Sequence, residues 1–193
     1  MPVRYAFLRL DPMKRALLIA IGASFFVVAV VVAANWMFVS RPYMGKVIES
    51  WETSNQAFRV RVDQHSEEHA FVTGAYYVFR SAPSGTEDWR DIMTFRHDDL
   101  IPIPRDQIRF VNDRVGFVFM GWKFAATTDG GGSWSVWDAE TDLPKWRCCN
   151  YELIQDVHLE VTGKGTMTLK AIPDRSGEVP ELHTNDYGRH WSL

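Results

Sequence analysis

Beyond residue 41 the chain alternates apolar and polar side chains in short runs: Phe58-Arg59-Val60-Arg61-Val62, Gln107-Ile108-Arg109-Phe110-Val111, Asp156-Val157-His158-Leu159-Glu160-Val161 and Thr166-Met167-Thr168-Leu169-Lys170-Ala171. A period of two places alternate side chains on opposite faces of an extended strand, so each run predicts a half-buried β-strand. Tyr76 to Arg80, Lys123 to Ala126 and Glu181 to His183 read in the same way. Between the runs stand Ser84-Gly85, Asn112-Asp113, Gly130-Gly131-Gly132, Gly163-Lys164-Gly165 and Asp186-Tyr187-Gly188, residues that favour tight turns. No helical period of convincing length occurs here. The pattern predicts an antiparallel all-β domain of about ten to twelve short strands over residues 46–193.

The segment before it follows a different rule. Ala16 to Val39 is a run of 24 residues without one charge. As a helix it would be about 36 Å long against a hydrocarbon core of about 30 Å, so residues 16–39 predict a transmembrane helix. Arg4, Arg9, Lys14 and Arg15 against the single acid Asp11 predict that residues 1–15 stay in the cytoplasm. Residues 40–45 read as a linker, and the β domain is expected outside, periplasmic or extracellular, on a single-pass protein of the cell (inner) membrane. Trp36 suits the outer interface, and Arg41 closes the apolar run. Val31-Val32-Ala33 and Val32-Ala33-Ala34 resemble cleavage sites, which keeps a cleaved signal peptide as the alternative. Signal cores run about 7 to 15 residues, so the length here favours a retained anchor.

Charge narrows the function. The chain of 193 residues carries 21 basic and 24 acidic side chains, and beyond Ser40 the balance is 17 against 23. The basic residues are interspersed with acids rather than gathered in a stripe, which argues against a nucleic-acid partner. The two cysteines, Cys148 and Cys149, are adjacent and close no loop. They read as a pair of small buried thiols or, alternatively, a vicinal disulfide, and they lack further ligands at a metal-binding spacing.

An internal repeat carries the most specific signal. Thr127-Thr128-Asp129-Gly130-Gly131-Gly132-Ser133-Trp134 and Thr184-Asn185-Asp186-Tyr187-Gly188-Arg189-His190-Trp191 share the frame Thr-x-Asp-x-Gly-x-x-Trp, 57 residues apart. Ser81 to Trp89 reads as a third, degraded copy with one extra residue before its tryptophan. The frame suits a hairpin in which Asp accepts loop N–H groups, Gly takes a backbone conformation other residues resist, and Trp folds back to pack. It resembles the Asp-box of sialidases and related β-propellers. The longer string from Val115 to Gly131 is similar to a propeller blade of the photosystem II assembly factor type.

The resemblance implies a partial or small β-propeller-like fold of about three blade units, in which Thr127, Asp129, Gly131, Trp134, Thr184, Asp186, Gly188 and Trp191 are structural rather than catalytic. An ordinary closed ring uses about 4 to 8 blades, so this domain is short for its class. The last frame ends at Trp191-Ser192-Leu193, and Lys46 to Trp51 is expected to pair beside Glu181 to Leu193 as its missing strand. The resemblance also raises glycoside hydrolysis, with Arg96, Arg105, Arg109 and Arg114 as a carboxylate-binding set and Tyr76 or Tyr77 as nucleophile.

The remaining candidates lie on connections. His65-Ser66-Glu67-Glu68-His69 matches the His-x-x-Glu-His spacing of inverted zinc peptidases, but it follows a strand and reads as a polar hairpin loop. Arg96, His97 and Asp98 form a polar cluster ahead of the stiff Leu100-Ile101-Pro102-Ile103-Pro104 connection, as a solvated link or a partner-facing site. Trp146, Arg147 and Tyr151 gather the residue types that binding surfaces concentrate, and equally the types that plug a gap. These readings describe a membrane-anchored, non-catalytic binding or scaffold protein with a protein or glycan partner outside the cytoplasm or a second copy of itself, with no cofactor and no metal. A sialidase-like carbohydrate-active enzyme is the alternative. An immunity or inhibitor protein at the outer face of the membrane is a further one.

Overall fold

The computed structural model of the chain describes residues 26, 30, 44–67, 74–143, 151–171 and 181–193. The chain divides into two units, Met1–Tyr43 and Met44–Leu193. In the first, Phe26 and Val30 are helical and exposed. The rest of the span expected at 16–39, its basic flank, both cleavage-like sites and residues 40–43 lie outside the described residues. Among the described residues no helix is long and apolar enough to cross a membrane.

The second unit is all-β and antiparallel. Its strands among the described residues are β1 (Met44–Ser54), β2 (Phe58–Glu67), β3 (Ala75–Pro83), β4 (Arg90–His97), β5 (Ile108–Phe110), β6 (Gly116–Met120), β7 (Lys123–Thr127), β8 (Ser135–Asp138), β9 (Tyr151–Leu159), β10 (Gly165–Ala171) and β11 (Glu181–Thr184). A 3-10 turn at Arg105–Gln107 and a single helical turn, α1 (Ala139–Asp142), complete it. Three sheets form from consecutive strands, β1-β2-β3-β4, β5-β6-β7-β8 and β9-β10-β11. Short hairpins explain this order, because neighbours in sequence close small loops at low entropic cost.

Side-chain parity stacks the sheets. Phe117 and Phe119 on β6, Phe124 and Ala126 on β7, and Trp137 on β8 join Ile154, Val157, Leu159, Met167, Leu169 and Leu182 of the third sheet in one core. Val118, Met120 and Ala125 point the other way and join Phe58, Val60, Val62, Tyr77, Phe79 and Phe95 of the first sheet. The central strands β6 and β7 are therefore buried on both faces, which is why β6 reads Gly-Phe-Val-Phe-Met without a polar residue. The connection from the first sheet to the second is pinned inside this core. Tyr77 Oη donates to the Ile101 carbonyl at 2.6 Å and accepts from Ile101 N at 3.0 Å, while Gln64 Nε2 donates to the same carbonyl at 2.6 Å. Burial pushes the Tyr77 phenol above its ordinary pKa, against the hydrogen bonds from Ile101 and Gln64 that favour ionisation.

Two expectations are corrected. Lys46 to Trp51 does not lie beside Glu181 to Leu193; β1 begins at Met44, inside the segment expected as linker, and pairs with β2, Trp51 opposite Val62. The cause is local, since Asn55 Oδ1 accepts from Ala57 N at 3.0 Å and from Phe58 N at 2.9 Å and closes the β1–β2 turn. β2 in turn runs on through His65, Ser66 and Glu67, so the segment expected as a polar hairpin loop is strand as far as Glu67. His69 lies outside the described residues.

Candidate functional site

Both good copies of the repeated frame follow the third strand of their sheet, β7 and β11, and close as the same turn. Thr127 Oγ1 donates to Asp129 Oδ1 at 2.8 Å and accepts from Gly131 N at 3.0 Å. Thr184 Oγ1 donates to Asp186 Oδ1 at 2.8 Å and accepts from Gly188 N at 3.0 Å. Asp129 then takes Ser133 N at 2.9 Å and Ser133 Oγ at 2.6 Å. Asp186 takes His190 N at 3.1 Å and lies 2.6 Å from His190 Nδ1. Gly131 and Gly188 have φ of 82° and 77°, the left-handed region open to glycine. After the tryptophan the chain rejoins the third strand at the same register, Ser135 opposite Ala126 and Ser192 opposite His183.

The carboxylates serve these turns. Burial opposes ionisation of Asp129, but hydrogen bonds from Ser133, Thr127 and Gly132 outweigh it and hold the carboxyl below its ordinary pKa. Burial acts likewise on Asp186 and is outweighed by His190 and Thr184. Each turn also seats its sheet against the one before. A Cβ on Gly131 would lie 2.9 Å from the Phe58 ring, and one on Gly188 would lie 2.3 Å from the Phe124 ring. Trp134 meets Phe58 edge-on at 6.0 Å between ring centroids, and Trp191 meets Phe124 at 5.3 Å.

The degraded copy behaves differently. Trp89 does not fold into a core. It lies on the outer face of the first sheet, 4.7 Å and 4.4 Å from the Arg59 and Arg61 guanidinium carbons, with Nε1 donating to Glu87 at 2.9 Å. Pro83 stands where the other copies have the turn-closing Asp, and Asp88 pairs with Arg90 at 2.9 Å. The extra residue shifts Trp89 by one position and turns it towards the opposite face.

The other candidates are scattered. Arg96 is held by Glu67 at 2.9 Å and by Asp98 at 2.6 Å. His97 Nδ1 contacts the backbone of Asp99 at 2.9 Å, so no imidazole–carboxylate pair forms with Asp98. Arg105 pairs with Glu49 at 3.3 Å and Arg109 with Asp156 at 2.7 Å. Tyr76 and Tyr77 are both buried. Trp146, Arg147, Cys148 and Cys149 lie outside the described residues, and Tyr151 is described only as the first residue of β9.

A polar surface that sequence reasoning missed lies on the outer face of the third sheet. Val157 and Leu159 face the core, so His158 and Glu160 face outward; Thr166 pairs with His158 on one side and with His183 on the other. This row forms the floor of a shallow groove of about 320 Å³, bounded by Glu160, Lys164, Thr184 and Asn185. The alternation around Val157 signals that His158 faces outward, but nothing in the sequence signals that His183 shares its row. Among the described residues no three His, Cys, Asp or Glu side chains gather to hold a metal ion. No family model matches the chain, and comparison with curated proteins and with solved structures finds no significant match.

Proposed function

We propose that the chain is a membrane-anchored, non-catalytic extracytoplasmic binding or scaffold protein, its domain a partial propeller of Asp-box-like units and its binding surface the groove across His158, Thr166 and His183. The carrying observation is that Asp129 and Asp186, the acids repeated with the motif, are both occupied by hydrogen bonds within their own turns. Groups so engaged are poor proton donors to a substrate. Glycoside hydrolysis gains no support from the arginines, since Arg96, Arg105 and Arg109 are each tied to different carboxylates, nor from two buried tyrosines. The anchor is the 24-residue uncharged run and its basic flank.

The test uses full-length protein extracted in mild detergent, assayed for hydrolysis of sialosides and other glycosides and for macromolecules that co-purify. The expected result is no turnover and a stable partner, lost when Thr166→Arg fills the groove while the melting transition is unchanged. Turnover by repurified wild-type protein overturns the reading.

A further inference from the structure

Among the described residues, a group of exposed apolar side chains lies at one end of the first sheet. Met44, Val47 and Ile48 are 46%, 50% and 51% exposed, and Leu100, in the connection after β4, is 56% exposed. Isolated exposed apolar side chains are ordinary, but three within five residues of one edge strand form a patch. The patch is held in place. His65 Nδ1 lies 3.1 Å from the Gly45 carbonyl, and Ser66 Oγ donates to the Lys46 carbonyl at 3.5 Å. Register shifts between Met44 and Val47 and between Val47 and Glu49 break the pairing here, and Val47 and Ile48 lie in a stretch of this edge strand that is exposed from Lys46 through Ser50.

We propose that this end of the domain docks on the bilayer surface, with Met44, Val47 and Ile48 inserted among the lipid headgroups. The inference rests on the reading of residues 16–39 as a membrane span. Only five peptide steps separate Val39 from Met44, a reach of at most about 18 Å, so a spanning segment keeps the start of β1 at the membrane. Arg105 offsets Glu49 at 3.3 Å, Arg96 is shared between Glu67 and Asp98 at 2.9 and 2.6 Å, and Lys46 stands within the patch, so much of the local negative charge is matched, which lowers the cost of approaching a lipid surface.

Full-length protein lacking its native thiols (Cys148→Ser, Cys149→Ser) tests this, with an environment-sensitive dye attached through Ser24→Cys, Ile48→Cys or Asp88→Cys, one at a time. The protein is placed in phosphatidylcholine vesicles with brominated acyl chains, which quench dyes at membrane depth. Asp88 is exposed and lies beyond the far end of the sheet, roughly 23 Å along the strands from the patch at about 3.3 Å per residue. Dyes at positions 24 and 48 are expected to be quenched and blue-shifted, and the dye at 88 to be unaffected. Quenching at 24 without quenching at 48 overturns the docking while leaving the anchor intact. No quenching at 24 overturns both, and quenching at 88 as strong as at 48 overturns the orientation.

Discussion

Trp134 Nε1 donates to the Ser81 hydroxyl at 2.9 Å, and Ser81 Oγ in turn donates to the Gly131 carbonyl at 3.2 Å, so the turn after β7 is fastened to β3 of the preceding sheet. Trp191, the same position in the second copy, is buried among Phe124 and Trp137, and its Nε1 has no partner among the described residues. The two indoles fill equivalent places with unequal hydrogen bonding. Trp134→Phe removes a made bond and should cost about 1 kcal/mol beyond the lost ring area, whereas Trp191→Phe removes an unpaired buried donor that itself costs about 1–3 kcal/mol. Urea melts of the two variants should therefore differ, with Trp134→Phe the less stable. Equal losses would show that only ring volume matters at both places.

The motif carboxylates make stability depend on acid. Asp129 and Asp186 both titrate below the ordinary carboxyl value of 3.8 in the folded protein. A carboxyl lowered on folding stabilises the native state above its unfolded pKa, and that contribution disappears as pH falls through the folded value. The melting temperature should drop below about pH 4. In Asp129→Asn the drop should be shallower, because one of the two groups no longer titrates. Asp129→Ala should cost about 1–3 kcal/mol near neutral pH by leaving the Ser133 and Thr127 donors unmatched.

Asp63 gives a third test, from the outer face of the first sheet. It is 4% exposed, and it accepts from Ser50 Oγ at 2.6 Å and from Arg80 Nη1 at 2.6 Å, with Arg61 Nε 3.3 Å away. Removing the charge takes the carboxylate from Arg61 and leaves Arg80 only the exposed Asp91, at 2.7 Å, in a partly buried network. Asp63→Ala should therefore destabilise by about 3 kcal/mol, more than loss of an exposed pair, for which about 0–1 kcal/mol is usual. Asp88→Ala, which breaks the exposed pair with Arg90, is the comparison. Similar melts for the two would mean that water already screens Asp63.

How far these features were legible in the sequence depended on the distance over which each is determined. Strands at Phe58, Ile108, Val157 and Met167 were readable because burial of one face imposes an alternation within a few residues. The Thr-x-Asp-x-Gly-x-x-Trp turns were readable because every hydrogen bond that closes them spans at most four residues. Pairing across the chain was not. Lys46 to Trp51 shows no clean alternation, since most of β1 is exposed, so nothing local distinguished β2 from β11 as its neighbour. His158 and His183 come into one row only through the register of β10 between them, and that register is set by core residues such as Met167 and Leu182.

Tyr187 stands where the first copy has Gly130. Gly130 has φ of 74° and Tyr187 has φ of 63°, a left-handed conformation that costs a bulky residue roughly 1–2 kcal/mol. Two contacts offset that cost. Tyr187 Oη donates to the Val161 carbonyl at 3.1 Å, and its ring lies against Gly163, where a Cβ would come within 2.9 Å of it. Gly163 has φ of 87° and donates its N–H to Glu160, while its carbonyl accepts from Tyr187 N at 3.0 Å. The tyrosine thus ties the last turn to the β9–β10 turn. Tyr187→Gly relieves the backbone and loses the ring and the hydrogen bond, so its net cost should be small, about 1 kcal/mol. Gly163→Ala meets both an unfavourable φ and the ring, and should cost about 2 kcal/mol or more. In the double variant the ring is gone, so the alanine should cost less than it does alone. Additive losses would show that Gly163 is required for its backbone conformation only, and that the ring contact contributes nothing.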